Sequence, residues 1–363
     1  MISRMLNSLF SFFSADVGID LGTANTFILV KGKGIVIREP SVIARNKKTK
    51  EILAIGSKAK KMVGKTPLMI ETVKPLQDGV IADFEATVAM LKYFFQQLSA
   101  GGHFLSKLFG PRVALGIPSG VTEVEQKAVY DAALAAGARK AYLVEEPMAA
   151  AIGLGLPIDQ PQGVLLVDIG GGTTEIALIS LGGIVIDRCL RVAGDEMDET
   201  LINFIKLKYS LLLGQATAEE IKIQLGSALP LNRLVSKEQS SEVKERQLVI
   251  RGRDLETGLP KSIRISGQEV REAISPVIHQ IIEQITEVIE ETPPELMTDI
   301  VAKGIVLCGG GAMIPGLDKL IAEETKMPVW VAEEPQTCVV KGCGKLLEDE
   351  KLLNKFRVMG GLR

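Results

Sequence analysis

The sequence has few of the residues that build metal and disulfide sites. Its 363 residues include four cysteines and two histidines, and no two cysteines have the CxxC spacing of a zinc site. Neither a zinc site nor a disulfide framework can be assigned from so small a set. We therefore expect reduced thiols and a cytoplasmic protein.

Excess charge and long apolar runs are also missing. The formal net charge is −2, aromatic residues make up 4% of the chain, and no cluster of lysine and arginine is interleaved with aromatic side chains. A nucleic-acid binder needs a surface that neutralises phosphates, so nucleic acid is not an expected partner. No apolar run reaches the roughly 20 residues of a membrane-spanning helix, so we predict no segment that crosses a bilayer.

The composition is that of a folded protein with more than one core. Hydrophobic residues make up 46% and charged residues 24% of the chain, which argues against disorder. Domains usually contain about 100–200 residues, so a chain of this length predicts two or three compact units. Two lobes are the simplest such arrangement.

A strand–turn–strand unit occurs twice in the chain. The first copy is DVGIDLGTANTFILV at 16–30, and the second is GVLLVDIGGGTTEIALIS at 163–180. In each copy an aspartate ends an apolar strand, a turn of small residues follows, and a second apolar strand leads away. The repeat predicts two related lobes.

The remaining segments alternate strands with helices, which indicates an α/β architecture. Strands are predicted at 113–117, 140–144 and 304–308, and helices at 195–209, 216–225 and 268–291. The helix predicted at 122–136 opens with a capping box of Thr122 and Glu125. Thr217 is the expected N-cap of a later helix.

Three glycine-containing turns each follow an apolar strand. They are GTAN at 22–25, GGGTT at 170–174 and GGGAM at 309–313. Glycine permits positive φ and close approach, so the amides of such turns can bind an anion. One such turn alone is more often a structural tight turn, but three together, two of them preceded by an aspartate, indicate phosphate binding. The P-loop pattern is absent, and no GxGxxG opens a helix after the first strand, which disfavours the common nucleotide-binding folds.

Three carboxylates are candidates for chemistry at these turns. Asp20 and Asp168 end apolar strands just before the first two turns, where a hard divalent cation needs oxygen ligands, and we assign both to magnesium and its water shell. The alternative is that they only cap the turns. Glu146 follows the strand at 140–144, where its carboxylate can orient a water for in-line attack. A solvated surface glutamate is the other interpretation.

The N-terminal segment MISRMLNSLFSFFS, residues 1–14, has apolar residues at helical spacing, Leu9, Phe10 and Phe13 among them. A signal peptide would need a continuous apolar stretch and a small-residue cleavage site, whereas serines interrupt this segment. We predict an amphipathic helix on a membrane surface. A helix packed against its own protein is the alternative.

Six short segments together resemble the MreB family of bacterial actins. They are IDLGTANT (19–26), EPMAAAI (146–152), DIGGGTTE (168–175), AGDEMD (193–198), TPPEL (292–296) and GGG (309–311), and the resemblance runs from about residue 16 to residue 347. It implies an α/β, actin-like ATPase fold of two lobes, each with a duplicated ribonuclease H-like core, with the nucleotide in the cleft between the lobes.

The resemblance also implies domain boundaries. The expected parts are an amphipathic membrane-binding helix at 1–14, lobe I at 15–150 with an insertion subdomain at about 33–74, lobe II at 151–337 with an insertion subdomain at about 188–266, and a C-terminal segment at 338–363 that returns to lobe I.

Roles for individual residues follow from the same resemblance. The expected ligands are ATP, ADP after hydrolysis, and Mg²⁺. Glu146 would position the attacking water, with Thr173 and Asp168 as further catalytic residues, and Asp20 and Asp168 would serve the metal. The expected nucleotide-binding residues lie at the three turns, after the second hairpin and on one helix: Gly22, Thr23, Ala24, Asn25, Gly170, Gly171, Gly172, Thr173, Gly194, Glu219, Glu220, Ile221, Lys222, Gly309, Gly310, Gly311, Ala312 and Met313.

The resemblance implies homopolymeric filaments on the inner face of the cytoplasmic membrane, which direct cell-wall elongation and maintain a rod shape. The expected partners are the chain itself, membrane lipid, and wall-elongation proteins reached through a membrane-spanning adaptor. Phe104 and Leu105 resemble the apolar loop that such filaments insert into lipid, with core packing as the alternative. The rival functions are a sugar or acetate kinase of the same superfamily and a heat-shock-type chaperone ATPase.

Overall fold

The computed structural model describes residues 16–100, 110–234 and 245–358. The side chains predicted to contact the membrane lie outside these ranges: Leu9, Phe10, Phe13, Phe104 and Leu105. The chain divides into two compact units, of which unit 1 comprises residues 1–158 and 336–363 and unit 2 comprises residues 159–335. The lobe boundaries expected from the sequence are 150/151 and 337/338.

Unit 1 contains ten strands and six helices within the described residues. Its elements are β1 (Asp16–Leu21), β2 (Asn25–Val30), β3 (Gly34–Pro40), β4 (Ile43–Asn46), β5 (Ile52–Ile55), α1 (Ser57–Lys60), β6 (Ile70–Val73), β7 (Leu76–Gln77), β8 (Val80–Ile81), α2 (Phe84–Ala100), β9 (Arg112–Ile117), α3 (Glu123–Ala135), β10 (Lys140–Glu145), α4 (Glu146–Leu154), α11 (Cys338–Glu348) and α12 (Glu350–Phe356).

The main sheet of unit 1 has the strand order β10-β9-β1-β2-β3. The central strand β1 is antiparallel to β2 and parallel to β9, so that Ile19 pairs with both Ile28 and Leu115. All three side chains are fully buried, as expected for apolar strands covered on both faces. Full burial of one such side chain stabilises the fold by roughly 1.5–3 kcal/mol. This core fixes the end of β1, where Asp20 and the first glycine turn lie.

A smaller sheet of order β5-β4-β6 follows β3. Its buried Arg45 contacts two carboxylates, with Nε 2.7 Å from Oε1 of Glu71 and Nη1 2.7 Å from Oδ2 of Asp83. Asp83 also accepts from the backbone amide of Ala86 in the first turn of α2. Arg45 therefore fastens the small sheet to the N-terminus of α2.

Unit 2 contains eight strands and six α-helices within the described residues. Its elements are β11 (Val164–Ile169), β12 (Thr174–Ser180), β13 (Gly183–Leu190), α5 (Gly194–Tyr209), β14 (Leu211–Leu212), α6 (Gln215–Leu225), α7 (Leu231–Leu234), β15 (Gln247–Asp254), β16 (Pro260–Ser266), α8 (Gly267–Glu291), α9 (Pro294–Lys303), β17 (Ile305–Cys308), a 3₁₀ turn (Gly311–Met313), α10 (Leu317–Thr325) and β18 (Val329–Val331). A second 3₁₀ turn, Pro335–Thr337, spans the change to unit 1.

The main sheet of unit 2 repeats the plan of the first, with the order β13-β12-β11-β17-β18. Its central strand β11 is antiparallel to β12 and parallel to β17, as β1 is to β2 and β9. The predicted internal repeat is therefore confirmed. Because the central strands correspond, Asp20 and Asp168 occupy equivalent places, each one residue before the end of its strand.

Most predicted elements are present, with one wrong cap. The capping box of Thr122 and Glu125 is confirmed, because each side chain accepts from the backbone amide of the other residue. Thr217 is not the N-cap of α6. The N-cap of α6 is Gly214, and the helix begins at Gln215. The extended Gly214 accepts hydrogen bonds at its carbonyl from the amides of both Thr217 and Ala218. Among the described residues, no helix is long and apolar enough to cross a membrane.

Candidate functional site

The first glycine turn accepts hydrogen bonds from a buried serine, Ser41. Ser41 donates its hydroxyl to the carbonyl of Gly22 at 2.6 Å and its amide to the carbonyl of Ala24 at 3.0 Å. Its oxygen also lies 2.9 Å from the hydroxyl of Thr26. The two bonds to the carbonyls of Gly22 and Ala24 hold the backbone of the turn in place. A further hydrogen bond to this turn comes from the amide of Gly79, which donates to the hydroxyl of Thr23 at 3.2 Å.

Glu146 is the first residue of α4, and Pro147 occupies an early helical position, where its fixed φ favours helix initiation. The side chain of Glu146 runs past Gly116 of β9, where an added Cβ would lie 3.1 Å from its Cγ. Burial raises the pKa of the Cys343 thiol, and the nearby charges of Asp20 and Glu146 raise it further. Both predicted carboxylates of unit 1 therefore lie near one neutral thiol.

The second glycine turn has one hydrogen bond within the turn and another from the first turn of α5. The amide of Gly170 donates to the carbonyl of Thr173 at 2.8 Å, and the amide of Asp195 donates to the carbonyl of Gly171 at 2.7 Å. A Cβ at Gly194 would lie 3.3 Å from the carbonyl oxygen of Gly170. Gly194 therefore permits the close approach of α5 to the turn.

Lys222 connects two of the predicted segments. Its ammonium donates to the carbonyl of Gly194 at 2.6 Å and lies 2.9 Å from Oδ1 of Asp198 on α5. Burial raises the pKa of Asp198 to about 6, although the charge of Lys222 opposes that shift. The neighbouring Glu219, Glu220 and Ile221 lie on the same helix, α6. This contact places α6 beside the second turn.

The third turn lies next to Asp168. Gly309 has a φ of +82°, and a Cβ there would lie 2.3 Å from Oδ1 of Asp168. A Cβ at Gly311 would lie 2.3 Å from Cγ2 of Ile169. Glycine is required at both places, so that the turn can pass over the end of β11. Ala312 is buried and Met313 is exposed in the 3₁₀ turn that follows.

The surroundings of Asp168 suit a cation. Burial raises the pKa of this carboxyl to about 6, and a hydrogen bond with the Cys308 side chain lowers it in part. A buried carboxylate without full compensation is stabilised in its charged form by a nearby positive charge. Within the described ranges, no group of three or more histidine, cysteine or acidic side chains is placed to hold a metal.

The predicted residues thus form one group in each unit. Unit 1 brings together Asp20, the turn at 22–25 and Glu146, and unit 2 brings together Asp168, the turns at 170–174 and 309–313, and the α6 segment. Sequence reasoning missed Ser41 and Cys308, which contact these groups from other strands or loops. A polar residue after β3 and a cysteine at the end of a predicted strand were the available signals.

A profile of the MreB/Mbl protein family matches residues 14–355 of this chain. The chain belongs to the MreB/Mbl family. Among its relatives are the cell shape-determining protein Mbl of Bacillus subtilis (strain 168), 48% identical over 346 residues that cover 95% of this chain and 99% of that protein, and the cell shape-determining protein MreB of Escherichia coli (strain K12), 46% identical over 348 residues that cover 95% and 96%.

Solved structures of an MreB/Mbl relative match the fold. MreB5 of Spiroplasma citri bound to ADP has a TM-score of 0.85 and 39% identity, covering 94% of this chain and 98% of that one. The same protein bound to AMPPNP has a TM-score of 0.84 and 39% identity, covering 93% and 97%. The predicted actin-like fold is therefore confirmed. The chain is an actin-like ATPase of the cell shape-determining MreB/Mbl class, and the alternative of a small-molecule kinase was wrong.

Proposed function

We propose that this chain binds ATP with Mg²⁺ at the glycine turns, hydrolyses it through Glu146, and polymerises into membrane-associated filaments that direct cell-wall elongation and maintain rod shape. The observation that carries the site assignment is the repeated plan of the two main sheets, each with an aspartate and a glycine turn at the end of its central strand. The nucleotides named for the Spiroplasma citri relative, ADP and AMPPNP, support an adenine nucleotide.

The two turns have the chemistry of phosphate binding. Thr23, Ala24 and Asn25 in the first turn and Gly171 to Thr173 in the second offer amides and hydroxyls, and bound Mg²⁺ would neutralise phosphate charge there. Asp20 and Asp168 would hold the metal through its water shell. Gly194, the 219–222 segment of α6 and the 310–313 segment would contact the ribose and adenine.

Hydrolysis requires a water that is held in line with the bond to be broken. Glu146 is suited to that task, because the start of α4 fixes its backbone and Gly116 leaves room for its side chain. Its carboxylate would accept a hydrogen bond from the water and orient it, with Thr173 assisting. Such a contact matters in the transition state and contributes little to nucleotide affinity.

The variant Glu146→Gln tests this role. It keeps the size of the side chain and removes its charge, so we expect ATP affinity within about twofold of wild type and phosphate release at least tenfold slower. Calorimetry measures the affinity, and a coupled phosphate assay measures release. ATP-dependent sedimentation in the same samples should show longer-lived polymer.

Glu145→Gln is the matched control, because Glu145 precedes the helix by one residue at the end of β10. It should release phosphate at the wild-type rate. Wild-type release by Glu146→Gln, or equal loss in both variants, would remove Glu146 from the mechanism.

The remaining partners belong to the same proposal. Self-association is supported by membership of a family of cell shape-determining proteins. The apolar N-terminal segment and residues 104 and 105 support peripheral binding to the inner face of the cytoplasmic membrane. Contact with wall-elongation proteins through a membrane-spanning adaptor would follow from that location.

A further inference from the structure

The two repeated units differ in the residue that stands beside the aspartate. In unit 2 the parallel register of β11 and β17 pairs Asp168 with Cys308. In unit 1 the register of β1 and β9 pairs Ile19 with Leu115, so the next residue along β9 is Gly116. Gly116 has no side chain that can donate a hydrogen bond. On the parallel neighbouring strand, the residue beside the aspartate is therefore a cysteine in unit 2 and a glycine in unit 1.

The Cys308 thiol is positioned to donate to the Asp168 carboxylate. Cys308 is fully buried and ends β17, which lies between the central strand β11 and the edge strand β18. Its side chain forms a hydrogen bond with Asp168. The carboxylate of Asp168 is acceptor-only when ionised, so the S–H group is the donor in that state.

Gly309 limits the position of the same carboxylate from another side. Its φ of +82° turns the chain directly after Cys308, and the site of its missing Cβ is 2.3 Å from Oδ1 of Asp168 and 2.3 Å from the carbonyl oxygen of Ile169. The carboxylate therefore occupies space that any side chain at 309 would take. Cys308 and Gly309, consecutive residues, together define where its oxygens lie.

We propose that Cys308 is a positioning residue that holds the Asp168 carboxylate in the orientation required for magnesium–nucleotide binding. The proposal rests on the function proposed above for Asp168. A thiol suits this place because it donates one hydrogen bond and carries no charge that would compete for the carboxylate. A hydroxyl at the same position would keep the donor, whereas a methyl group of similar size would lose it.

The variants Cys308→Thr and Cys308→Val test the proposal as a matched pair. Threonine and valine have nearly the same shape, and only threonine donates a hydrogen bond. The measurement is the dissociation constant of ATP, in excess Mg²⁺ and again in EDTA, by calorimetry on the full chain. For Cys308→Val we expect binding about tenfold weaker in Mg²⁺ and within about twofold of wild type in EDTA, and for Cys308→Thr values within about twofold in both, because only the metal-dependent part of binding uses the oriented carboxylate.

A structural role alone would give a different pattern. Equal effects in the two variants, or equal loss in Mg²⁺ and EDTA, would show that Cys308 acts through packing and would overturn the proposal. Thermal unfolding without nucleotide is measured on every variant. If the valine variant does not fold, Cys308→Ser and Cys308→Ala supply the same comparison, with serine expected to keep the magnesium dependence and alanine to lose it.

Asp168→Asn separates this proposal from the one on which it rests. If that variant binds ATP as tightly as wild type in Mg²⁺, the assignment of Asp168 fails, whatever Cys308 does. If Asp168→Asn loses the magnesium dependence and Cys308→Val keeps it, Asp168 stands and Cys308 is not its positioning residue.

Discussion

Single residues around the second glycine turn carry charges that the fold only partly compensates. Asp198 is buried on α5, with Lys222 as its cationic partner at 2.9 Å. Burial raises its pKa to about 6, from an ordinary value of 3.8. A folded-state pKa above the unfolded value means that folding disfavours the charged form. The contribution of Asp198 to stability is therefore full below pH 4 and is lost as the pH rises through about 6.

This linkage predicts that Asp198→Asn becomes relatively more stable as the pH rises. An amide cannot ionise, so the variant avoids charging a buried group between pH 4 and pH 7. Between pH 4.5 and pH 7.5 the difference in unfolding free energy between variant and wild type should shift in favour of the variant by about 2 kcal/mol, since one pKa unit corresponds to about 1.4 kcal/mol and part of the shift lies below pH 4.5. Urea unfolding at pH 4.5 and pH 7.5 measures the shift.

Glu220→Gln is the control for this experiment, because Glu220 is an exposed carboxylate on α6. Its difference from wild type should change by less than about 0.5 kcal/mol over the same interval. A shift for Asp198→Asn that is absent or of opposite sign would mean that the ion pair with Lys222 outweighs the effect of burial.

The aspartates at the ends of the two central strands give a second prediction at this scale. Asp20→Asn and Asp168→Asn should each weaken binding of ATP in Mg²⁺ by about tenfold, because loss of an outer metal partner typically costs 10- to 100-fold in affinity. Affinity in EDTA should change little. Calorimetry in both conditions checks this, and unchanged affinity in both variants would leave the aspartates as turn caps only.

At the scale of elements, the helices α4 and α11 pack with their backbones in contact. A Cβ at Gly342 on α11 would lie 1.7 Å from the carbonyl oxygen of Ala149 on α4, and a Cβ at Gly153 on α4 would lie 2.0 Å from the carbonyl oxygen of Cys338. The two helices meet in this way at two places along α4. Because α4 begins with Glu146, this contact also sets where the proposed water-positioning group starts.

Gly342→Ala should therefore be strongly destabilising. The added methyl group meets rigid backbone, so we expect a loss of at least about 3 kcal/mol in unfolding free energy, despite the higher helix propensity of alanine. Gly344→Ala is the matched control on the same helix, because its Cβ would meet the side chain of Leu29, which can move. Thermal unfolding checks the pair, and equal midpoints would contradict the close packing.

The sequence predicted elements well where the cause of structure is local. Alternating apolar runs and a capping box at Thr122 need only neighbouring residues, and both hairpins and the α3 N-terminus were found. Thr217 was wrongly predicted to be the N-cap of α6. The N-cap is Gly214, because the backbone of glycine can begin a helix without a capping side chain. Ser41 and Cys308 were missed because each meets its partner only through strand pairing: Ser41 reaches Gly22 when β3 pairs with β2, and Cys308 reaches Asp168 when β17 pairs with β11, which is distant in the chain.

At the scale of the whole molecule, the proposed filament would strengthen a contact with lipid that is weak for a single subunit. A few apolar side chains buried in lipid contribute roughly 1.5–3 kcal/mol each, so a single subunit would bind a membrane weakly. A polymer presents many such anchors at once, and avidity then makes binding firm. Membrane binding should therefore depend on ATP-driven assembly as well as on the apolar residues themselves.

Polar replacement of Leu9, Phe10 and Phe13 should remove most co-sedimentation with liposomes, and further replacement of Phe104 and Leu105 should remove the remainder. Polymerisation in solution should persist, because these side chains would face lipid and not the next subunit. The 1–14 segment has Arg4 as its only charged side chain, so raising the salt concentration should weaken binding less than these substitutions do. Mutant filaments that still pellet with vesicles, or a mutant monomer that unfolds, would instead assign both segments to the protein core.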